Sequence, residues 1–262
     1  MRVKELTDKA HWTRMWSDYS RVDDGEALIA YGGTFDKILS KFLPVDASMT
    51  AIELGCYPGS FLAYLHNRYG YRVCGLDYMD DLERVRRNLA QVGVRVDDLI
   101  CADLLSMDLE RTFDVVASFG LVEHFLDPED VVNRHCQLVA PGGYLVIEMP
   151  HFRGLQYWLH RCFDSRNLSV HNVHAMRPRV LREWVERRGF DVLTCGYFKT
   201  FKFWVDYTDN RMVISWPLHF RATMRFARVA EQVLASFGLD DIPNPVLSPY
   251  IVMVARRTAA LG

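Results

Sequence analysis

One short segment limits what this chain can fold into more than any other. Residues 52–60, IELGCYPGS, run from an apolar stretch containing Glu53 through a glycine to the start of a second apolar pattern with helical spacing. A strand, a glycine turn and a helix in this order let a ligand approach bare backbone at a helix N-terminus, which carries a partial positive charge. The segment predicts a ligand-binding loop that includes Gly55, Cys56 and Gly59.

Further strand-like runs follow at regular intervals, with polar side chains where they end. The second run ends in Asp77, followed by Tyr78, and the third reaches Asp103, followed by Leu104. An acid at the end of the second strand is placed to accept hydrogen bonds from both ribose hydroxyls of a nucleoside. A fourth run, residues 113–119, opens into the sequence GLVEHF. The pattern predicts a nucleoside site at the carboxyl ends of these strands.

The alternation of strands and helices predicts an α/β fold with a doubly wound, mostly parallel sheet of seven strands. Residues 1–45 carry two apolar stripes at helical spacing and predict an N-terminal helical cap, followed by one domain over residues 46–262. Two insertions are expected in this domain, at about residues 151–177 and 200–247. The first leaves from the ligand-binding edge of the sheet and can therefore form a wall of a pocket.

Five of these motifs together resemble the class I S-adenosylmethionine-dependent methyltransferases. They are ELGCYPGS, the Asp of GLDY, the Asp of CADL, SFGLVEHFLDP and APGGYLVIEMP, in the order and spacing of that family. The resemblance implies a Rossmann-like fold and S-adenosyl-L-methionine as the cofactor. The cofactor-binding residues that it implies are Glu53, Gly55, Cys56, Gly59, Asp77, Tyr78, Asp103, Leu104, Phe119, Gly120 and Leu121.

Two further expectations concern how the cofactor is enclosed. The resemblance implies an N-terminal helical segment that covers the donor, and Tyr19 is the candidate residue. The alternative is that this segment is only a packing layer over the sheet. The family usually has a small residue where Tyr57 stands in this chain. Because Tyr57 cannot adopt a positive φ cheaply, the loop is expected to run in an ordinary conformation there.

A methyl donor of the sulfonium type is already activated, so the protein must position a nucleophile, exclude water and in some cases take a proton. His124 follows the fourth strand and is the predicted base, because imidazole titrates near neutrality. His171 and His174, in the first insertion, are the alternatives. A purely structural role in the loop is the competing interpretation of His124.

The pair Glu123 and His124, with a later histidine, also resembles metal-dependent relatives such as the small-RNA 2′-O-methyltransferases. Those proteins place another glutamate three residues before the Glu-His pair, where this chain has Gly120. With that ligand missing, no metal is expected.

Composition bears on the partners. The chain of 262 residues has 31 basic and 33 acidic side chains and a net charge of −2, so a nucleic-acid partner is not expected. The first residues have no apolar signal core, and no run is long enough to span a membrane, so a cytoplasmic protein is expected. Residues 151–177 contain four arginines and one acid. They indicate either a solvated surface or an acceptor with an anionic group.

Together these observations predict a methyltransferase that acts on an oxygen or nitrogen nucleophile of a small-molecule biosynthetic intermediate. The alternatives are an RNA or protein methyltransferase, or a module that binds S-adenosylmethionine without catalysis. A nicotinamide dehydrogenase is disfavoured because, counted from Gly55, Tyr57 and Ser60 occupy the other two positions of the G-x-G-x-x-G motif. The sequence does not indicate the oligomeric state.

Overall fold

The structure is a computed structural model that describes residues 5–17, 25–107, 109–204 and 217–258. Seven strands form one sheet: β1 (Thr50–Leu54), β2 (Arg72–Asp77), β3 (Val96–Cys101), β4 (Phe113–Phe119), β5 (Val139–Pro150), β6 (Phe190–Phe198) and β7 (Tyr250–Arg257). Their order across the sheet is β3-β2-β1-β4-β5-β7-β6. All neighbours are parallel except β7, which runs antiparallel to both β5 and β6. The predicted fold class is confirmed.

Ten α-helices lie among the described residues: α1 (Lys9–Ser17), α2 (Gly25–Gly32), α3 (Asp36–Leu39), α4 (Ser60–Tyr69), α5 (Leu82–Gln91), α6 (Pro128–Leu138), α7 (Gly154–Phe163), α8 (Ser165–Ser169), α9 (Pro178–Glu186) and α10 (Pro217–Ser236). Two short 3-10 helices span Gly33–Phe35 and Val122–His124. The helix α4 begins directly after Gly59 and ends at Gly70, whose φ angles of 106° and 80° favour glycine at both ends.

Helices cover the two faces of the sheet and bury an apolar core on each. On one face, α4 and α5 pack with the N-terminal residues Phe35, Leu39 and Leu43. On the opposite face of the sheet, α6 and α9 pack against the strands and form the second core. The parallel strands β1, β2 and β4 are therefore almost entirely buried, as expected when a sheet is covered on both faces.

Some boundaries differ from those that the sequence suggests. The third strand was expected to reach Asp103 but ends at Cys101, so Asp103 lies in the loop after it. The fifth strand begins at Val139 and includes the segment APGG, although proline and glycine are depleted in strands. Its pairing with β4 shifts register there, since Phe113 pairs with Val139 and Val115 already pairs with Tyr144. The glycines are accommodated by this irregularity.

The predicted insertions follow β5 and β6. Residues 151–177 contain α7 and α8, and residues 200–247 contain α10. Residues 205–216 of the second insertion lie outside the described part of the chain. The division into a cap and a main domain stays a prediction. Within the described ranges, no helix combines the length and apolar character that crossing a membrane requires.

Candidate active site

A cavity opens at the carboxyl ends of β1, β2 and β4, below the N-terminal segment. It is lined by Glu5, Thr7, Trp12, Trp16, Gly55, Tyr57, Leu76, Asp77, Tyr78, Met79, Ala102, Asp103, Leu104, Phe119, Gly120, Leu121, His124 and Phe125. In a doubly wound sheet this edge is where ligands bind. Eight of the predicted cofactor residues share this cavity: Gly55, Asp77, Tyr78, Asp103, Leu104, Phe119, Gly120 and Leu121.

Asp77 organises one end of the cavity. Its Oδ2 accepts a hydrogen bond from the backbone N–H of Tyr57 at 3.0 Å, and its Oδ1 accepts one from Met79 at 3.0 Å. Burial raises the pKa of Asp77, and these two N–H groups oppose that shift. Each carboxylate oxygen accepts one bond and keeps a lone pair, so Asp77 can still receive two hydroxyl groups of a ligand.

Gly55 brings the first loop against the loop that follows β4. Its φ is 76°, and a Cβ at this position would lie 3.0 Å from Cδ1 of Leu121. The N–H groups of Gly55 and Cys56 both donate to the carbonyl of Leu76, which holds the loop against β2. Among the described residues, Lys199 is the only non-glycine residue with a positive φ. Tyr57 therefore has an ordinary backbone conformation, as predicted.

Three predicted cofactor residues lie behind the loop instead of lining the cavity. Glu53 and Cys56 are buried beneath it, with exposures of 2% and 0%. Burial and the charge of Asp77 raise the pKa of Glu53 well above its ordinary value. A Cβ on Gly59 would meet Val85 and Leu89 of α5. These residues support the loop from the core side.

The N-terminal segment supplies lining residues that the sequence argument did not choose. Tyr19 was the predicted cap residue and lies outside the described residues. Trp12 and Trp16 on α1 line the cavity, and the ring of Trp16 lies 5.5 Å from the ring of Tyr57. The signal was present in the helical spacing of these tryptophans, but spacing alone does not show which face a helix turns toward a ligand.

His124 lies at the other end of the cavity and is 6% exposed. Its Nδ1 is 3.1 Å from the carbonyl oxygen of Val170, and its ring forms a T-shaped contact with Trp12 at a centroid distance of 4.7 Å. Burial, followed by the neighbouring His171, lowers the pKa of His124 well below its ordinary value. The imidazole is therefore neutral at pH 7. Because a carbonyl only accepts, the proton sits on Nδ1 and Nε2 keeps its lone pair.

Glu123 is fully buried beside His124. Its Oε1 is 3.8 Å from Nε2 of His124, and neither carboxylate oxygen has a hydrogen-bond partner among the described residues. Burial raises the pKa of Glu123 to about 8. Sequence reasoning used this residue only to weigh a metal site.

The two alternative histidines are placed differently. The ring of His171 lies 4.3 Å from the ring of His124, and its Nδ1 is 2.7 Å from the carbonyl oxygen of Asn167. Burial lowers the pKa of His171 to about 4. His174 is exposed, and its ring lies 6.3 Å from that of Trp184. The structure therefore brings His171 to His124 and leaves His174 apart from them, and of these three histidines His124 is the one that lines the cavity.

The comparisons with known proteins agree with this architecture. Residues 30–194 match the methyltransferase domain family, which is more than half of the chain. The chain therefore belongs to this family, and the predicted membership of the class I S-adenosylmethionine-dependent methyltransferases is confirmed.

Individual relatives are more distant. The ubiquinone biosynthesis O-methyltransferase of Coxiella burnetii is 27% identical over 150 residues, which cover 54% of this chain and 63% of that protein. The chain thus matches less than two thirds of the length of this relative.

Solved structures share the fold at low identity. The N-methyltransferase NodS of Bradyrhizobium japonicum, in complex with S-adenosyl-L-homocysteine, superposes with a TM-score of 0.53 at 13% identity, covering 97% of this chain and 94% of NodS. The magnesium protoporphyrin IX methyltransferase of Synechocystis PCC 6803, also with bound S-adenosylhomocysteine, gives a TM-score of 0.55 at 12% identity, covering 94% and 93%. At such identities the likeness concerns the fold.

Proposed function

We propose that this protein transfers a methyl group from S-adenosyl-L-methionine to an oxygen or nitrogen nucleophile of a small molecule from biosynthetic metabolism. The observation that carries the proposal is the shared cavity. It joins Asp77 at the end of β2 and Asp103 in the loop after β3 to the Gly55 loop and to the segment that bears His124. The proposed donor site and a group suited to proton transfer thus face the same cavity.

The residues of the donor end fit the proposed cofactor. Asp77 has two carboxylate lone pairs left for ribose hydroxyls, and Asp103 uses one oxygen to accept the N–H of Leu105 at 2.9 Å. Bound S-adenosylmethionine supplies an activated methyl group. Asp77 and Asp103 would hold the ribose of the adenosine portion, and Trp12 and Trp16 line the cavity from the N-terminal side.

His124 is the proposed catalytic group at the acceptor. Nδ1 of His124 carries the proton because it faces the carbonyl of Val170, so Nε2 keeps its lone pair. A neutral imidazole in this position can take the proton of an acceptor hydroxyl or amine. His171 lies beside it and is the second candidate. His174 lies apart from both rings and stays the weakest of the three predicted catalytic histidines.

The relatives support a small molecule as the acceptor. They include an O-methyltransferase of ubiquinone biosynthesis and a trans-aconitate 2-methyltransferase. An anionic group on the acceptor stays a prediction. Of the four arginines of the first insertion, Arg161, Arg166 and Arg177 are exposed, and Arg153 donates to the carbonyl of Val173 at 3.3 Å.

The test is direct. Isothermal titration calorimetry should detect S-adenosylmethionine and S-adenosylhomocysteine with affinities in the range from roughly micromolar to sub-millimolar that enzymes show for their ligands. Methyl-labelled donor incubated with a panel of hydroxy, carboxy and amino acceptors should then yield labelled product. If neither S-adenosylmethionine nor its demethylated product S-adenosylhomocysteine binds, the proposed function is excluded. Binding without transfer to any acceptor, RNA and protein included, would favour a non-catalytic binding module.

A further inference from the structure

Glu123, His124 and His171 form a cluster with the chemistry of metal ligands. The carboxylate and imidazole atoms that they offer all lie within 4.8 Å of one another. The closest measured approach joins Nε2 of His124 to Oε1 of Glu123 at 3.8 Å. Two histidines and one carboxylate are the donor set of many zinc sites and of the non-haem iron sites.

Both imidazoles are held in the tautomer that a metal requires. Nδ1 faces a backbone carbonyl in each case, at 3.1 Å for His124 and 2.7 Å for His171. Each Nδ1 therefore carries the proton, and each Nε2 has its lone pair available. A carbonyl or carboxylate behind the ring is the usual arrangement for a histidine that binds a metal, because it fixes both the tautomer and the ring orientation.

The carboxylate of Glu123 lacks the partner that its burial calls for. The side chain is 0% exposed, and neither oxygen is hydrogen-bonded within the described ranges. Within those ranges the basic side chain within 4.0 Å of its carboxylate is His124, whose imidazole is neutral at pH 7 and therefore does not compensate a charge on Glu123. A buried polar group without a partner costs about 1–3 kcal/mol, and more when it is charged. A cation held between Glu123 and the two Nε2 atoms would remove this cost.

The two chain segments that carry the cluster are already tied together. The N–H of Asn172 donates to the carbonyl of Glu123 at 2.6 Å, and the side-chain amide of Asn172 donates to the carbonyl of Phe125 at 3.1 Å. Metal bonds of roughly 2.0–2.2 Å place ligand atoms roughly 3–3.5 Å apart, so the side chains would close by about 1 Å around an ion. Side-chain rotation on a fixed backbone can supply that movement.

We propose that Glu123, His124 and His171 bind one divalent transition-metal ion, of the class of Zn²⁺ or Fe²⁺, at the acceptor end of the cavity. Three protein ligands leave coordination positions free, and His124 lines the cavity, so the acceptor can reach the ion. The role of the ion rests on the proposed function: it would bind the acceptor nucleophile and lower the pKa of that group, so that its proton passes to solvent water before methyl transfer. In the metal-loaded protein, His124 acts as a ligand and not as the base.

This inference replaces the expectation of a metal-free site. That expectation depended on Gly120, which stands where the metal-dependent relatives have a glutamate. The described cluster does not use position 120, because His171 reaches Glu123 and His124 from a distant part of the chain.

The test uses Co²⁺ as the probe on the full chain, stripped of metal. Visible absorption reports the coordination of Co²⁺, and calorimetry gives its stoichiometry. The wild type should bind one equivalent without the intense sulfur-to-cobalt band that cysteine ligation produces. The control His174→Ala, which changes an exposed histidine outside the cluster, should bind equally well. Glu123→Gln and His171→Ala should each weaken binding at least tenfold, since loss of even a partner behind a ligand costs 10–100-fold in affinity.

No Co²⁺ binding by the wild type at millimolar concentration would overturn the proposal, as would equal affinity in the wild type, Glu123→Gln and His171→Ala. Thermal melts of the metal-free variants check folding, and the nearly isosteric Glu123→Gln decides the matter if His171→Ala does not fold. Titration of S-adenosylhomocysteine into metal-free protein separates the two proposals. If it binds while Co²⁺ does not, only the metal site is excluded; if Co²⁺ binds while it does not, only the proposed function is.

Discussion

The two ends of the cavity are built in different ways. At the donor end, Gly55 and Asp77 lie at the ends of adjacent parallel strands, and each is positioned by the strand that precedes it. At the acceptor end, His124 meets Trp12 from the N-terminal segment and His171 from the insertion after β5. A site made of strand ends follows from sheet topology. A site made of separate segments depends on how those segments pack.

The largest expected effect tests whether the acceptor end carries the chemistry. His124→Ala should lower turnover about 10²–10⁴-fold, the usual contribution of general acid–base catalysis, while the affinity for S-adenosylhomocysteine changes little. The loss is expected for a base and for a metal ligand, because both roles use Nε2. Turnover measured with labelled donor and calorimetric affinity check the two halves of this prediction. His219→Ala, which changes an exposed histidine of α10, is the matched control. A parallel loss of donor affinity in His124→Ala would show that the two ends of the cavity do not act independently.

The contrast explains how much the sequence could predict. The strand β4 has the predicted range, residues 113–119, because an apolar run marks its boundaries locally. Asp77 and Asp103 were found because parallel strands bring their carboxyl ends to one edge. The start of β5 at Val139 could not be predicted locally, because its irregular pairing there depends on β4.

The acceptor end was harder to predict. Local sequence shows that Glu123 and His124 are adjacent, but not that both carboxylate oxygens are buried without partners. It also cannot distinguish His171, which packs on His124, from the nearby His174, which is exposed. The hydrogen bond between Asn172 and the carbonyl of Glu123 makes the difference, and such a contact between distant segments leaves no periodic signal.

A second prediction concerns the pH dependence of stability at His135, a buried histidine that contacts β4. Ser118 precedes Phe119, which lines the cavity, and its hydroxyl is 2.8 Å from Nε2 of the buried His135, while Nδ1 of His135 is 2.8 Å from the carbonyl oxygen of Val131. Burial lowers the pKa of His135 to about 4 in the folded protein, compared with the ordinary 6.5. Above pH 6.5 His135 is neutral in both the folded and the unfolded protein, so its titration takes nothing from the free energy of unfolding.

As the pH falls from 6.5 to 4, the unfolded chain takes a proton at His135 that the folded protein does not, so stability is lost. The total loss from this group is about 3 kcal/mol. In His135→Gln the free energy of unfolding should therefore fall less over this window, as measured by urea denaturation at several pH values. Equal pH dependence in the variant and the wild type would show that His135 is not held neutral beside β4.

A third prediction tests the donor end alone. Asp77→Ala should weaken S-adenosylhomocysteine binding by about 1–3 kcal/mol, the range for lost hydrogen bonds to a charged group. Co²⁺ binding at the acceptor end should not change, because Asp77 bonds to Tyr57 and Met79 instead of to the cluster. Asp97→Ala, at an exposed acid of β3, is the control for removing a carboxylate. Loss of Co²⁺ binding in Asp77→Ala would show that the two ends are not independent.

The smallest effect is expected on α1, the helix that touches both ends. Trp16 lies at the donor end, with its ring 5.5 Å from Tyr57 and its carbonyl 3.3 Å from Nη1 of Arg84, whereas Trp12 packs on His124. Trp16→Ala should weaken S-adenosylhomocysteine binding by about 1 kcal/mol, which is roughly fivefold, because an aromatic contact contributes about that much. Trp12→Ala should leave this affinity nearly unchanged and lower turnover instead. Calorimetry and labelled-donor assays on the two variants decide between them. If both variants lose donor affinity equally, α1 covers the cavity as one unit. The donor and acceptor ends would then be distinct only in the residues that the sheet supplies.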